Sequence, residues 1–127
     1  MSELIKRKIM LIDDSSTNNI LYESILQDEG YEVVICHDAK TALKKLEKEI
    51  PDLIMLDLMM PGMDGLNFLE VVTTEITGFK IPVIMLTAHS EVESQTKAFK
   101  LGVKEYIIKP ASISEITEKV KKTLNLY

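Results

Sequence analysis

Five short apolar runs alternate with helical patterns along the sequence, and this alternation restricts the possible folds more than any other feature. Each run is as long as a β-strand, and most are flanked by residues typical of turns or helix caps. Hydrophobicity is continuous within a run, which is typical of parallel strands covered on both faces. The runs that we predict to be strands are residues 9–12, 33–36, 53–56, 83–86 and 106–108.

Helices are predicted between these strands and after the last one. Two stretches carry apolar residues at helical spacing, which indicates amphipathic helices. These residues are Ala39, Ala42, Leu43 and Leu46 in the first stretch and Ile113, Ile116, Val120 and Leu124 in the second. Further helices are expected at about residues 17–29, 65–75 and 91–101. Gly30 and Gly102 are placed as C′ residues and Ser112 as an N-cap.

The resulting order of elements, (βα)5, predicts an α/β fold. We expect a doubly wound, five-stranded parallel sheet with helices on both faces and right-handed crossovers. Ligands in such sheets bind at the carboxyl ends of the strands, near the point where the strand order reverses. Polar residues that directly follow the strands are therefore the first candidates for a functional site.

Composition narrows the class of protein. We expect the 127 residues to form a single domain, 1–127, with its core at about 7–124. No apolar run approaches the roughly 20 residues of a membrane span, and no apolar stretch follows the basic residues near the N-terminus. Because no such segment is found, we expect a cytoplasmic protein without a membrane partner. Cys36, the only cysteine, lies within an apolar run and is interpreted as core. A net charge of −5 and scattered lysines favour a protein or cation partner and not nucleic acid.

Candidate site residues follow four of the five predicted strands. Asp13 and Asp14 come after the first strand, Asp57 after the third, Thr87 after the fourth and Lys109 after the fifth. Singly, each has an ordinary explanation, such as a helix N-cap for Asp13 or Asp14 or a turn cap for Asp57. Together they lie at the edge where this architecture binds ligands. Three carboxylates there would resist ionising together unless a cation neutralised them.

Clustered carboxylates and a backbone oxygen form the hard ligand set that suits Mg²⁺, with Mn²⁺ as an alternative. The two histidines, His37 and His89, are interpreted as a solvated residue and a rim residue, and a softer metal site is not expected. An aspartate beside such a cation can attack a phosphoryl group and form an aspartyl phosphate. The Lys109 ammonium and the Thr87 hydroxyl would then stabilise charge on its equatorial oxygens.

Four segments, LIDDSSTN, PDLIMLDLMMPGMDGL, IPVIMLTA and LGVKEYIIKP, closely resemble in sequence, order and spacing the receiver domain of two-component response regulators. The resemblance runs over about residues 7–124 and implies the flavodoxin-like strand order 2-1-3-4-5. It implies that Asp57 is the phosphoacceptor and that Thr87 and Lys109 contact the phosphoryl group. The implied Mg²⁺ ligands are Asp13, Asp14, Asp57 and the carbonyl oxygen of Met59.

The resemblance also implies a switch. Thr87 would move toward the phosphoryl group and Tyr106 would turn inward, which changes the face built from the fourth helix, the fifth strand and the fifth helix. Downstream partners would bind that face. The fourth helix, about residues 91–101, has a thin apolar stripe of Val92 and Phe99 and is the candidate contact surface.

Two further features of the site follow from the resemblance. The peptide bond between Lys109 and Pro110 is expected to be cis. Met59 and His89 lie two residues beyond Asp57 and the switch threonine, at positions where the family tunes the lifetime of the phosphoryl bond.

The function that the resemblance implies is phosphotransfer signalling. The phosphoryl group would come from the histidine of a sensor kinase or a phosphotransfer protein, and the domain would catalyse its own phosphorylation and slow hydrolysis without being a multiple-turnover enzyme. It would be a monomer or a phosphorylation-dependent dimer. The end of the chain at Tyr127, soon after the last predicted helix, favours a stand-alone regulator. The alternative is a fragment of a hybrid kinase or of a transcriptional regulator.

Three other functions fit the sequence less well. An FMN protein of flavodoxin type would use Ser15, Ser16 and Thr17, but the loop lacks glycine and the adjacent acids would repel a phosphate. A phosphatase of the haloacid dehalogenase type needs a second acid where Met59 stands. A pseudo-receiver, an interaction module that switches without phosphate, would not need all five strand-end residues.

Overall fold

The computed structural model describes residues 6–126, so the ends of the predicted domain, residues 1–5 and 127, lie outside the described residues. Five parallel strands form one sheet: β1 (Lys8–Ile12), β2 (Glu32–Cys36), β3 (Leu53–Leu56), β4 (Val83–Thr87) and β5 (Glu105–Ile108). Their order across the sheet is β2-β1-β3-β4-β5. The predicted fold class and strand order are confirmed.

One helix follows each strand, and the helices cover both faces of the sheet. They are α1 (Ser16–Asp28), α2 (Ala39–Lys48), α3 (Gly65–Glu75), α4 (Val92–Lys100) and α5 (Ile113–Leu126). One apolar cluster lies under α2, α3 and α4, and a second lies under α1 and α5. Because side chains alternate along a strand, β1 supplies Met10 and Ile12 to the first cluster and Ile9 and Leu11 to the second. Within residues 6–126, no helix is both long enough and apolar enough to cross a lipid bilayer.

Side-chain caps fix where four of the helices begin. The capping residues are Ser15 for α1, Asp38 for α2, Asp64 for α3 and Ser112 for α5. Ser15 takes the role at α1 that the sequence left open for Asp13 or Asp14. Gly30 and Gly102 adopt positive φ angles after α1 and α4, as predicted for C′ residues.

The outer strands are less buried than their continuous apolar sequences predicted. β1, β3 and β4 lie inside the sheet and are buried almost throughout. β2 is an edge strand, and Cys36 is the only one of its five residues that is buried. Cys36 is fully buried, as predicted. β5, at the other edge, buries Tyr106 and Ile107. The difference arises because an edge strand has a neighbour on one side only, which the apolar pattern of a single run does not reveal.

Candidate functional site

The carboxyl edge of the sheet brings three aspartates together. Asp13 and Asp14 follow β1, and Asp57 follows the neighbouring strand β3, whose last residue is in register with that of β1. The backbone amide of Asp57 donates to the Ile12 carbonyl at 2.9 Å, so the pairing of the two strands extends up to the aspartates. One carboxylate oxygen of each aspartate lies within 4.8 Å of the others.

Lys109 reaches this acidic cluster from the end of β5. Its Nζ donates a hydrogen bond to Oδ2 of Asp13 at 2.6 Å and lies 3.6 Å from Oδ2 of Asp57. The side chains of Lys109 and Asp13 are 10% and 2% exposed, so solvent screens their attraction little. The lysine therefore compensates part of the charge of two of the three acids.

Asp13 is held on its backbone as well as on its side chain. Its amide donates to the Cys36 carbonyl at 3.1 Å, its carbonyl accepts from Asn19 Nδ2 at 2.8 Å, and its Oδ1 accepts from the amide of Ser15 at 2.9 Å. Since a carbonyl oxygen only accepts, the nitrogen of the Asn19 amide must face it. The same nitrogen lies 3.4 Å from Nδ1 of the exposed His37. Oδ1 of Asn19, a 1% exposed residue, has no hydrogen-bond partner among residues 6–126.

Thr87 and Tyr106 lie on the last two strands, β4 and β5. Thr87 is fully buried at the end of β4, and its hydroxyl oxygen accepts from the amide of His89 at 3.3 Å. Tyr106 is 8% exposed, and its hydroxyl donates to the carbonyl of His89 at 2.6 Å. The segment that follows β4 is therefore tied to both strands.

The electrostatic environment of Asp57 disfavours its charge. Burial raises the pKa of this carboxyl above its ordinary value, and the charge of Asp13 acts in the same direction. The Lys109 ammonium and hydrogen bonds from the Thr87 hydroxyl and the Met59 backbone oppose this rise in pKa. Because burial outweighs these partners, the ionised carboxylate would be stabilised by an added cation.

Met59, His89 and the bond between Lys109 and Pro110 are the remaining predicted features of the site. The Met59 side chain is 55% exposed next to Asp57. His89 is half-buried, with Nδ1 3.4 Å from Oε1 of Glu91. The peptide bond between Lys109 and Pro110 is cis.

Three contacts that support the site were not predicted. Asn19 holds the Asp13 carbonyl, the ring of Tyr22 lies 5.6 Å from Nζ of Lys109, and Gly65 starts α3 against the backbone of Asp57. Asn19 and Tyr22 lie one turn apart on the buried side of α1. Asn19 could have been found from the sequence, because it lies at helical spacing from the apolar residues Tyr22 and Leu26, and a polar residue on a buried side of a helix needs a partner. The sequence offered no comparable signal for the contacts of Tyr22.

The three aspartates of the acidic cluster are the residues that could hold a metal ion. Its members range from Asp13, which is buried, through Asp57 to Asp14, which is exposed. Three carboxylates with access to water on one side suit a hard divalent cation, because Mg²⁺ keeps several water ligands when it binds to proteins.

A parallel sheet of order 2-1-3-4-5 with acids after β1 and β3, a threonine at the end of β4 and a lysine after β5 defines the receiver class of signalling domains. A sequence model of the response regulator receiver domain matches residues 9–121, and the chain belongs to this family. The predicted relationship to two-component response regulators is confirmed.

Individual relatives agree with this assignment. The chain is 36% identical over 94% of its length to the alkaline phosphatase synthesis transcriptional regulatory protein PhoP of Bacillus subtilis, covering 49% of that protein. It is 34% identical over 91% of its length to the phosphate regulon transcriptional regulatory protein PhoB of Klebsiella pneumoniae, covering 50% of it. The structure of the chemotaxis protein CheY4 of Vibrio cholerae aligns with a TM-score of 0.87 at 28% identity, over 94% of this chain and 99% of that one.

The chain spans about half the length of these two curated relatives. Both are named as transcriptional regulators, so the expectation of no nucleic-acid partner does not extend to every protein that contains this domain.

Proposed function

We propose that this chain is a phosphoacceptor response regulator in which Asp57 receives a phosphoryl group from the histidine of a sensor kinase or a phosphotransfer protein. The observation that carries this proposal is the setting of Asp57, whose carboxylate lies within 4.8 Å of those of Asp13 and Asp14 and 3.6 Å from the Lys109 ammonium. An acid with a cation site on one side and a fixed ammonium on the other can act as a nucleophile toward a dianionic phosphoryl group.

In the proposed transfer, an oxygen of Asp57 attacks the phosphorus of a phosphohistidine. The phosphorus–nitrogen bond breaks, its electron pair returns to the donor imidazole, which is then protonated, and an aspartyl phosphate remains. Lys109 and the Thr87 hydroxyl stabilise charge on the transferring oxygens. Mg²⁺ held by the three aspartates and the Met59 carbonyl would neutralise charge on the phosphoryl oxygens. Water later cleaves the acyl phosphate, and the rim residues Met59 and His89 would control its access.

The proposed output is a change in the face formed by α4, β5 and α5. Thr87 would shift toward the new phosphate, and Tyr106, already buried and bonded to the segment after β4, would stabilise the altered position of that segment. Val92 and Phe99 of α4 are 77% and 48% exposed, which leaves apolar area on this face for a downstream protein or a second copy of the chain. We place this activity in the cytoplasm.

Intact mass measured after incubation with Mg²⁺ and acetyl phosphate tests the phosphoacceptor role. The wild-type protein should gain the mass of one phosphoryl group, and Asp57→Asn should gain none. Asp28→Asn, which removes an exposed acid at the end of α1, is the matched control and should label like the wild type. A wild-type protein that neither labels nor binds the phosphoryl mimic beryllofluoride would instead support the phosphate-independent interaction module.

A further inference from the structure

Lys109 has a third neighbour besides its two carboxylates. Its ammonium lies over the ring of Tyr22, 5.6 Å from the ring centroid. This distance is within the range of a cation–π interaction, in which the negative face of an aromatic ring attracts a positive charge. Tyr22 is 4% exposed and Lys109 is also largely buried, so the interaction is formed with little competing solvent.

Electrostatics place Tyr22 within the site. Burial raises the pKa of its phenol; the charge of Lys109 lowers it, and those of Asp13 and Asp57 raise it. The charged residues that act on Tyr22 are therefore three members of the proposed phosphoacceptor site. Tyr22 belongs to none of the segments that carry the family resemblance.

The carboxylates that hold Lys109 are also the proposed metal ligands. When the acidic cluster is occupied by a divalent cation, the attraction between Lys109 and Asp13 weakens, because the cation neutralises the carboxylate and repels the ammonium. A ring face carries no net charge and is not a ligand for a hard cation. Within residues 6–126, Nζ of Lys109 contacts Asp13, Asp57 and the ring of Tyr22. A metal ion would compete for the two carboxylates but not for the ring.

We propose that Tyr22 is a positioning residue that keeps the Lys109 ammonium in the site when the acidic cluster is loaded, so that it can contact the phosphoryl group. This role rests on the proposed phosphoacceptor function. Without the ring, the long lysine side chain would recover rotamer freedom that must be lost again when a phosphoryl group binds. The contact between Lys109 and Tyr22 therefore contributes to the affinity for a phosphoryl group, in addition to the stability that the buried ring of Tyr22 gives to the core.

Two substitutions separate this role from simple filling of the core. Tyr22→Phe keeps the ring face and removes only the hydroxyl, whereas Tyr22→Leu keeps an apolar side chain and removes the ring. Ile25→Ala is the matched control, because Ile25 is buried on the same side of α1, three residues further on. It should weaken the packing of α1 without removing a contact of Lys109.

The first measurement is the proton chemical shift of the Lys109 ε-methylene group by NMR, in the protein without metal. A ring face shifts nearby protons upfield, so this signal should lie upfield of the other lysines in the wild type, in Tyr22→Phe and in Ile25→Ala. It should move to the ordinary lysine position in Tyr22→Leu. An ordinary shift in the wild-type protein would overturn the proposal even if Tyr22→Leu did not fold.

The second measurement is the affinity for beryllofluoride with saturating Mg²⁺. Tyr22→Leu should bind about tenfold more weakly than the wild type, and Tyr22→Phe should recover most of the loss, as expected for a desolvated cation–π contact. Equal affinities of the Leu variant and the wild type would overturn the role of Tyr22 and leave the phosphoacceptor function standing. A wild-type protein that binds no beryllofluoride and accepts no phosphoryl group would overturn both.

Discussion

At the scale of a single residue, the ionised carboxylate of Asp57 reduces the free energy of unfolding. Burial raises the pKa of its carboxyl, and the nearby Lys109 ammonium opposes this rise without removing it. A folded-state pKa above the unfolded value means that ionising the group costs folding free energy. The stabilising contribution of the protonated form is complete below the unfolded pKa and is lost as the pH rises through the folded pKa.

We therefore expect Asp57→Asn to be more stable than the wild type at neutral pH in the absence of divalent cations. The difference in the free energy of unfolding should shrink as the pH falls through the folded pKa of Asp57, because the wild-type carboxyl then also becomes neutral. Urea unfolding of both proteins over a series of pH values measures this difference, with Asp28→Asn as a control for the loss of one negative charge. A difference that grew on acidification would contradict the expected sign.

The sequence predicted single residues of the site to different extents. Asp13, Asp14, Asp57, Thr87 and Lys109 could be chosen because they stand at the ends of apolar runs, and parallel strands bring such positions to one edge. Asn19 and Tyr22 act on the same site from the side of a helix. Which strand-end group a helical side chain meets depends on how α1 packs on the sheet, and a one-dimensional pattern does not contain that packing.

At the level of elements, the start of α3 is packed directly against the backbone that carries Asp57. A Cβ atom added to Gly65 would lie 2.5 Å from the Asp57 carbonyl oxygen and 3.0 Å from Cα of Leu58. The amide of Gly65 also donates to the Leu58 carbonyl at 2.7 Å. The sequence placed Gly65 at the start of a helix, and the structure adds that the helix can approach the site this closely only because the residue has no side chain.

Gly65→Ala should consequently destabilise the protein by about 1–3 kcal/mol, the usual range for overpacking. In a helix without such a contact the same change would stabilise by up to about 1 kcal/mol. Urea unfolding gives the sign directly, and Glu70→Ala at an exposed position of α3 is the control for a new alanine in the same helix. A gain in stability for Gly65→Ala would show that α3 can move away at no cost.

The bounds of the elements show where local sequence patterns are sufficient. β3 has the predicted bounds, and β2 begins one residue before the predicted run, at Glu32. The pattern was less informative for α4, because Val92 and Phe99 of its apolar stripe are exposed and Ala98 is its buried residue. A small residue permits close packing on the sheet but contributes little to an apolar pattern, so the buried side of a polar helix is difficult to predict.

At the scale of the whole molecule, the arrangement of strands was predicted from two sources. The alternation of apolar runs and helical stripes predicted a parallel, doubly wound sheet, because parallel strands need crossover helices. The order 2-1-3-4-5 came from the resemblance, since periodicity places residues on faces and does not say which strands are neighbours. This order is what brings β1 beside β3 and closes the acidic cluster.

Because the cluster joins two central strands, binding of a cation there should stabilise the whole fold. A ligand that binds only the folded state at 100 times its dissociation constant adds about 2.7 kcal/mol to the free energy of unfolding. We expect MgCl₂ to produce such a gain in urea unfolding, and Asp14→Asn to lose most of it. Asp14 suits this test because it is exposed and its replacement leaves the contact between Lys109 and Asp13 in place.

Two comparisons distinguish binding at the cluster from a general effect of salt. NaCl at equal ionic strength screens exposed charges without supplying a divalent cation, so it should give little of the gain. Asp28→Asn should respond to MgCl₂ like the wild type, because this acid lies at the far end of α1 from the cluster. If Asp14→Asn kept the full gain, the stabilisation by MgCl₂ would not depend on Asp14, and the proposed role of this residue as a metal ligand would be wrong.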